Sequence, residues 1–320
     1  MNPLYVDDFN LFFSSMEHAE KAIRILQEIF SSLHLDINDE KTFVNKSPHF
    51  FDNGWSSVLS NYKFSSDQKK QLYDLIRYFD ISYRYSIDFP LDSVLKYAIK
   101  RLNNVNIESG NWSHFESLLM KTAITEPATL HEFSAIMYKN KRIVDNKKIK
   151  EIIFTLLEEH IYKGHSYEIN WALWLSKVFN IQIPDKIASN LFNLVDASNL
   201  IMALDLKNRG LISSTIITDN IVDLIDENAL QDEYWLLAYE ADYHGWLTLK
   251  HPDLINNHPF FSILKKNNIS FYHSSKVFYH KPASSTLAHK NTRTENQQAE
   301  NKTHGQPEEK DLFSLLSNDY

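Results

Sequence analysis

The chain has 320 residues, of which 43% are hydrophobic, so it is long enough for two domains of ordinary size with a sizeable core. Its formal net charge of −8 excludes a protein whose whole surface attracts nucleic acid, and the absence of cysteine excludes disulfides and thiolate metal sites. Only 6 residues are glycine, which favours helices over turn-rich β structure. We find no apolar run that approaches the ~20 residues of a membrane span and no basic-then-apolar leader, so we expect a cytoplasmic protein without membrane contact.

The first thirteen residues predict a β-hairpin that carries two carboxylates at its tip. Tyr5-Val6 and residues 9–13 are β-formers on either side of Asp7 and Asp8. Neighbouring residues of a regular strand face opposite sides of a sheet, so the two carboxylates can face one reaction centre only where the strand turns. Such a pair is a hard oxygen site for Mg²⁺, and two ions about 4 Å apart can clamp the attacking and leaving oxygens of a phosphoryl transfer.

A helix and three short strands are predicted after the hairpin. The serines at 14–15 can cap a helix, and apolar side chains recur at intervals of three and four over residues 16–33. We expect the apolar face of this helix to pack on a sheet. Alternation of apolar and polar residues predicts a short strand at 35–37, and the β-formers at 43–44 and 50–51 mark the starts of two more.

The order of these segments resembles the palm of a bacterial reverse transcriptase. Tyr5-Val6-Asp7-Asp8 is followed by the helix and then by Leu33-His34-Leu35-Asp36-Ile37-Asn38-Asp39-Glu40-Lys41-Thr42. These segments are similar to the YxDD motif and the LxLNxxKT-like segment of group II intron and retron enzymes, over residues 1 to about 50. Within the second segment, Asn38 and Thr42 are predicted to shape the turn.

The resemblance implies an RNA-directed DNA polymerase that uses an RNA template, a DNA primer, dNTPs and two Mg²⁺ ions. It implies that Asp7 and Asp8 hold metal, that Tyr5 lies near the primer terminus and that Lys41 is the general acid toward the leaving pyrophosphate. Without the resemblance, Lys41 could equally well be an ordinary solvated lysine in a loop. In this family the fingers and another metal-binding aspartate come earlier, so we expect them before Met1 or in a separate polymerase half.

From residue 55 onward the apolar spacing is helical. Segments 93–102, 168–175 and 234–241 are similar to stretches of abortive-infection reverse transcriptases, which act in phage defence. Without the resemblance, the same segments are simply predicted to be amphipathic helices with aromatic core residues. The succession of such helices favours a stacked, HEAT-like arrangement. Residues 283–310 contain almost no large apolar side chain and cannot offset the entropy of ordering.

We therefore predict an α+β fold that is mainly α. Its predicted parts are a partial reverse-transcriptase palm at 1–54, a basic helical thumb-like region at 55–150, an acidic α-helical repeat-like domain at 151–282 and a disordered tail at 283–320.

Charge is distributed unevenly between the two helical parts. Residues 61–150 hold 15 Lys and Arg against 10 Asp and Glu, whereas residues 151–264 hold 6 against 16. Nucleic acid is expected along the first range, with Lys96, Lys100 and Arg101 as contacts to backbone phosphates from one helix. The alternative is that these charges lie on ordinary solvated helix faces.

No metal site is predicted in the helical part. His160 and His165, like His244 and His251, lack the i, i+4 spacing that places two imidazoles on one helix face, and no carboxylate stands at motif distance. We expect surface or capping histidines at these positions.

Two functions from different classes fit the sequence. The first is the C-terminal portion of a reverse transcriptase that acts in antiphage defence. The alternative is a catalytically incomplete fragment that serves as a helical module for binding protein or nucleic acid.

Overall fold

The chain is mainly α-helical. The computed structural model describes residues 4–5, 8–9, 11–38, 42–46 and 54–274, the first two ranges as backbone only. Over 54–274, where the description is continuous, the elements are helices and turns without a β-strand. The predicted tail at 283–320 lies outside the described residues.

The helices are α1 (Met16–Ser32), α2 (Trp55–Asn61), α3 (Gln68–Asp88), α4 (Val94–Leu102), α5 (Trp112–Thr125), α6 (Leu130–Lys139), α7 (Asn146–His160), α8 (Ser166–Phe179), α9 (Asp185–Leu191), α10 (Ala197–Asn208), α11 (Asp219–Leu224), α12 (Trp235–Tyr243), α13 (Leu254–Asn257) and α14 (Phe261–Lys266). Short 3₁₀ helices occur at Ser109–Asn111, Pro127–Thr129 and Ala229–Gln231.

A pair of two-residue strands lies at the position of the predicted hairpin. Strand β1 (Leu4–Tyr5) and strand β2 (Asp8–Phe9) are antiparallel, with Tyr5 opposite Asp8 and Leu4 opposite Phe9. Asp8 is therefore a member of the second strand rather than a tip residue, because its backbone pairs with that of Tyr5. Asp7 lies outside the described residues.

Helix α1 begins where the sequence predicts, but its apolar face is not packed on a sheet. Ser15 is the N-cap, and its hydroxyl accepts a hydrogen bond from the backbone N–H of His18 at 3.3 Å. Ala19 is the buried residue of this helix, whereas Met16, Ile25 and other apolar side chains of α1 are exposed. The amphipathic pattern thus predicts the helix correctly, but it does not show which surface the helix would pack against.

The short strands predicted after α1 are wrong where the structure describes them. Residues 35–37 and 43–44 are not in strands. Leu35 and Phe43 are exposed, so neither packs on a core as the inward face of a strand would. Residues 50–51 lie outside the described part.

The helical body buries the apolar stripes that the spacing predicts. In α4, for example, the five apolar residues Val94, Leu95, Ala98, Ile99 and Leu102 are all buried. Leu91, which the spacing includes in the same stripe, is exposed because α4 begins only at Val94. Further along, α8 packs against α7 and α10, and α10 packs against α12. Each of these helices covers its apolar face mainly with helices near it in sequence.

A buried carboxylate joins α8, α10 and the segment that follows α14. Asp205 is 2% exposed and its Oδ2 lies 2.9 Å from Nζ of Lys177, which is 8% exposed. The Tyr272 hydroxyl donates to the same oxygen at 2.7 Å, and Nε of Arg209 donates to Oδ1 at 2.9 Å. Burial lowers the pKa of Lys177, and the Asp205 carboxylate opposes that shift.

A second buried carboxylate, on α12, holds the residues next to Tyr272. Glu240 is fully buried, and it accepts hydrogen bonds from the Ser270 hydroxyl at 2.8 Å and from the Phe271 backbone N–H at 2.7 Å. The Nε2 atom of His244 lies 3.2 Å from the same carboxylate. The two carboxylates together fix residues 270–272 against the helices.

All of the described residues belong to one compact unit, Met1–Val277. Among their helices, none combines the length and the apolar character that a bilayer span requires.

We predict that Asp205→Ala lowers the free energy of unfolding by about 3–5 kcal/mol, because the change leaves the Lys177 ammonium buried without its carboxylate. Urea unfolding followed by circular dichroism measures the change.

Asp80→Ala is the matched control, since Asp80 pairs with Arg84 at 2.9 Å on the exposed surface of α3. Exposed pairs of this kind contribute about 0.5 kcal/mol or less. An Asp205→Ala protein as stable as the Asp80→Ala protein would show that the buried pair does not hold the fold.

Candidate functional site

Two of the predicted site residues near the start of the chain are described, as backbone only. Tyr5 and Asp8 are opposite one another in β1 and β2. Asp7 and Lys41 lie outside the described residues. The Thr42 hydroxyl donates to the Asn38 carbonyl at 2.8 Å, which joins the two residues that are predicted to shape the turn.

Two of the three predicted phosphate contacts are free-standing surface cations on α4. Lys96 and Lys100 are exposed and stand four residues apart, which places them on one helix face. Their side chains extend from a helix whose opposite face is buried in the core. The geometry is suitable for contacts with successive phosphates of a nucleic-acid backbone.

Arg101, in contrast, bonds within the protein. Its Nε and Nη2 atoms donate to the Ser60 carbonyl at 3.0 and 2.6 Å, and Nη2 also donates to the Tyr62 carbonyl at 2.5 Å. Both acceptors lie at the C-terminal end of α2, where helix carbonyls lack intrahelical partners. The guanidinium therefore fastens α2 to α4, and a phosphate contact by Arg101 would compete with these bonds.

One group of side chains in the described residues has the composition and spacing of a metal site. It consists of His160, His165 and Glu168, whose nearest ligand atoms all lie within 4.8 Å of one another. The two Nδ1 atoms of the histidines are 2.9 Å apart. His160 is buried rather than on the surface, which corrects the prediction for that residue, whereas His165 is exposed and is the N-cap residue of α8.

The turn between α7 and α8 explains how these histidines meet. The His165 N–H donates to the His160 carbonyl and the Gly164 N–H donates to the Ile161 carbonyl, both at 3.2 Å. Gly164 has a φ of +65°, which glycine adopts without strain. This is the Schellman motif, in which the residues corresponding to His160 and His165 commonly form an apolar contact. Here both positions of that contact are imidazoles.

The two histidines are five residues apart, a spacing that the sequence pattern for metal ligands on one helix does not include. The i, i+4 rule applies to ligands on one continuous helix, whereas these ligands stand on either side of a helix end. A glycine directly before the second histidine is the signal that marks such a turn. Glu168, three residues after His165, is one helical turn further along α8.

The other histidine pair does not form a comparable group. His244 is partly buried, pairs with Glu240 at 3.2 Å and stacks on Trp246 with ring centroids 4.4 Å apart. His251 is exposed, as predicted.

We predict that Arg101→Ala lowers the free energy of unfolding by roughly 1–3 kcal/mol, because it removes charge-assisted hydrogen bonds between α2 and α4. Lys100→Ala, one residue away on the exposed face, is the control and should change stability by less than about 0.5 kcal/mol. Denaturant unfolding of both variants measures the difference. Equal stabilities would mean that the bonds to Ser60 and Tyr62 contribute nothing.

Comparison of this chain with family models, with curated proteins and with solved structures found no match.

Proposed function

We propose that this chain is part of a reverse transcriptase that carries out templated DNA synthesis by two-metal nucleotidyl transfer in the cytoplasm, in antiphage defence. The observation that carries the proposal is the acidic pair Asp7-Asp8, whose second member lies in an antiparallel strand pair, with α1 following in the sequence. The segment that ends in Lys41 and Thr42 then follows at the position where the resemblance expects it.

The donor chemistry of the acidic pair suits the metal that such a reaction uses. Asp7 and Asp8 offer carboxylate oxygens, the ligands that Mg²⁺ prefers, and they would hold the ions together with an aspartate from an earlier palm strand. When bound, two Mg²⁺ ions supply charge stabilisation to the attacking 3′ oxygen and to the leaving oxygen.

Other residues of this chain would act on substrate and protons. The Lys41 ammonium would donate a proton from Nζ to the leaving pyrophosphate, and Tyr5 would lie against the primer terminus. The Thr42–Asn38 hydrogen bond supports the first role, because it joins two residues of the segment to which the resemblance assigns that role.

The helical part would hold nucleic acid on one side only. The exposed cations Lys96 and Lys100 lie in the range with excess basic charge, whereas residues 151–264 carry an excess of acidic charge that repels phosphate. We propose that the acidic helices form a HEAT-like scaffold, which the packing of α8 against α7 and α10 supports.

A second candidate is a helical interaction module without polymerase activity. The observation that favours it is that the apolar core of the described residues is built from 54–274. Residues 1–46 contribute one buried side chain, Ala19, to the described structure.

We predict that Asp7→Asn abolishes DNA synthesis by the polymerase in which this chain is combined with fingers and a first palm strand. Removing a metal-binding carboxylate should cost several kcal/mol of transition-state stabilisation, or a loss of about a thousandfold or more in rate. Primer extension on an RNA template with Mg²⁺ measures the loss.

Asp36→Asn provides the control for that assay, because Asp36 is an exposed carboxylate in the segment after α1. It should extend primers like the unaltered protein. Near-normal extension by Asp7→Asn would reject the polymerase assignment and favour the interaction module.

We further predict that the double change Lys96→Ala and Lys100→Ala weakens nucleic-acid binding for all sequences alike. The slope of log K against log salt should fall by up to about two units, because each phosphate contact releases condensed counterions. Lys186→Ala, an exposed lysine on α9 in the acidic range, should leave the slope unchanged. A slope that responds to Lys186 and not to the α4 lysines would place the nucleic acid along the acidic helices.

A further inference from the structure

We propose that His160, His165 and Glu168 bind one divalent transition-metal ion of the Zn²⁺ type, which fastens the turn between α7 and α8. The site is separate from the carboxylate pair at residues 7 and 8, and it differs in the metal that it selects. It does not depend on the polymerase assignment.

The first support is the placement of the ligands by the backbone. The hydrogen bond from the His165 N–H to the His160 carbonyl, at 3.2 Å, closes the turn and brings the two side chains together. The His165 carbonyl accepts from the Ile169 N–H at 3.2 Å, so the backbone is already helical in its hydrogen bonding at that point. Glu168 therefore projects on the same face as His165.

The second support is the chemistry of the donor set. Two imidazole nitrogens and one carboxylate oxygen are the combination that three-ligand zinc sites use, with water in the fourth position. Mg²⁺ prefers a shell made only of oxygen and keeps its own waters, so this group should discriminate against it. The exposed side chain of His165 leaves the fourth position open to solvent.

The third support is the separation of the ligand atoms. With metal–nitrogen bonds of about 2.0–2.1 Å, two nitrogens of a tetrahedral set lie about 3.3 Å apart. The Nδ1 atoms of His160 and His165 are 2.9 Å apart, and one of them must donate a proton to the other in the absence of a metal. The two Nδ1 atoms must therefore move apart by about 0.4 Å, and the widest pair of ligand atoms must approach by up to about 1.5 Å. Rotation of the exposed His165 and half-buried Glu168 side chains supplies both movements.

His160 is held in place by the protein rather than by solvent. Its side chain is 5% exposed, so the ring is fixed at the end of α7. Its Nε2 atom is buried without a hydrogen-bond partner among the described residues. Ligating histidines usually donate this second N–H to an acceptor, and loss of such a partner weakens binding about 10–100-fold. We therefore expect an affinity lower than that of a zinc finger.

The bound ion would act on structure rather than on a substrate. All three ligands stand within nine residues, at the junction of two helices that pack against each other. A metal at this point ties the end of α7 to the first turn of α8, and binding only to the folded state raises the thermal midpoint by mass action.

The test uses Co²⁺ as the probe, because its visible absorption reports tetrahedral coordination, with Zn²⁺ as the competitor. We expect the full chain to bind Co²⁺ at this group, Zn²⁺ to displace it and millimolar Mg²⁺ to leave it in place. His165→Ala should weaken Co²⁺ binding by more than about 100-fold. Loss of a residue that only hydrogen-bonds to a ligand already weakens binding about 10–100-fold, and loss of the ligand itself should weaken it more. Glu168→Gln should weaken it by roughly 10-fold or more and provides a second variant that leaves the turn intact.

His114→Ala is the matched control, because His114 is an exposed histidine on α5. It should bind Co²⁺ like the unaltered chain, and Zn²⁺ should raise the thermal midpoint of both. If the unaltered chain shows no absorption band of tetrahedral Co²⁺, the proposal is wrong. A band that survives in both His165→Ala and Glu168→Gln would also overturn it, since the ion would then be bound elsewhere. Neither result bears on primer extension.

Discussion

The helical part depends on carboxylates that have been removed from water. Apolar burial supplies most of the driving force for folding, but it has no direction and allows helices to slide over one another. Asp205 and Glu240 accept hydrogen bonds and ion pairs only from side chains at defined places, so they select one arrangement of α8, α10, α12 and residues 270–272. We infer that these carboxylates contribute more to the uniqueness of the arrangement than to its total stability, since burying a charge carries a large desolvation cost.

The helices could be predicted from the sequence because their signal is local. Every buried residue of α4 stands three or four positions from another, and a helix needs no distant partner to satisfy its backbone. The strands predicted at 35–37 and 43–44 do not form, because their signal is not local in this sense. A strand exists only when another backbone accepts its hydrogen bonds, and alternation in the sequence does not contain that partner.

The site residues show the same division between local and distant information. The exposure of Lys96 and Lys100 follows from the helical period, and so it was predictable. Arg101 was expected beside them, yet it turns to carbonyls about forty residues earlier, because α2 ends against α4. The histidine pair is an intermediate case. The residues that bring the two histidines together are close in sequence, but they act through the hydrogen bonds of a helix end and not through the repeat of a helix.

Helix α1 has a consequence for the behaviour of the protein in solution. Its exposed apolar residues present unburied hydrocarbon to water, and so do Phe12 and Phe13 just before it. Contact between such surfaces strengthens on warming and in sulfate, and weakens in urea. The protein should therefore be most nearly monodisperse in cold buffers without strongly excluded salts, and warming in sulfate should increase its light scattering well below the temperature at which the helices melt.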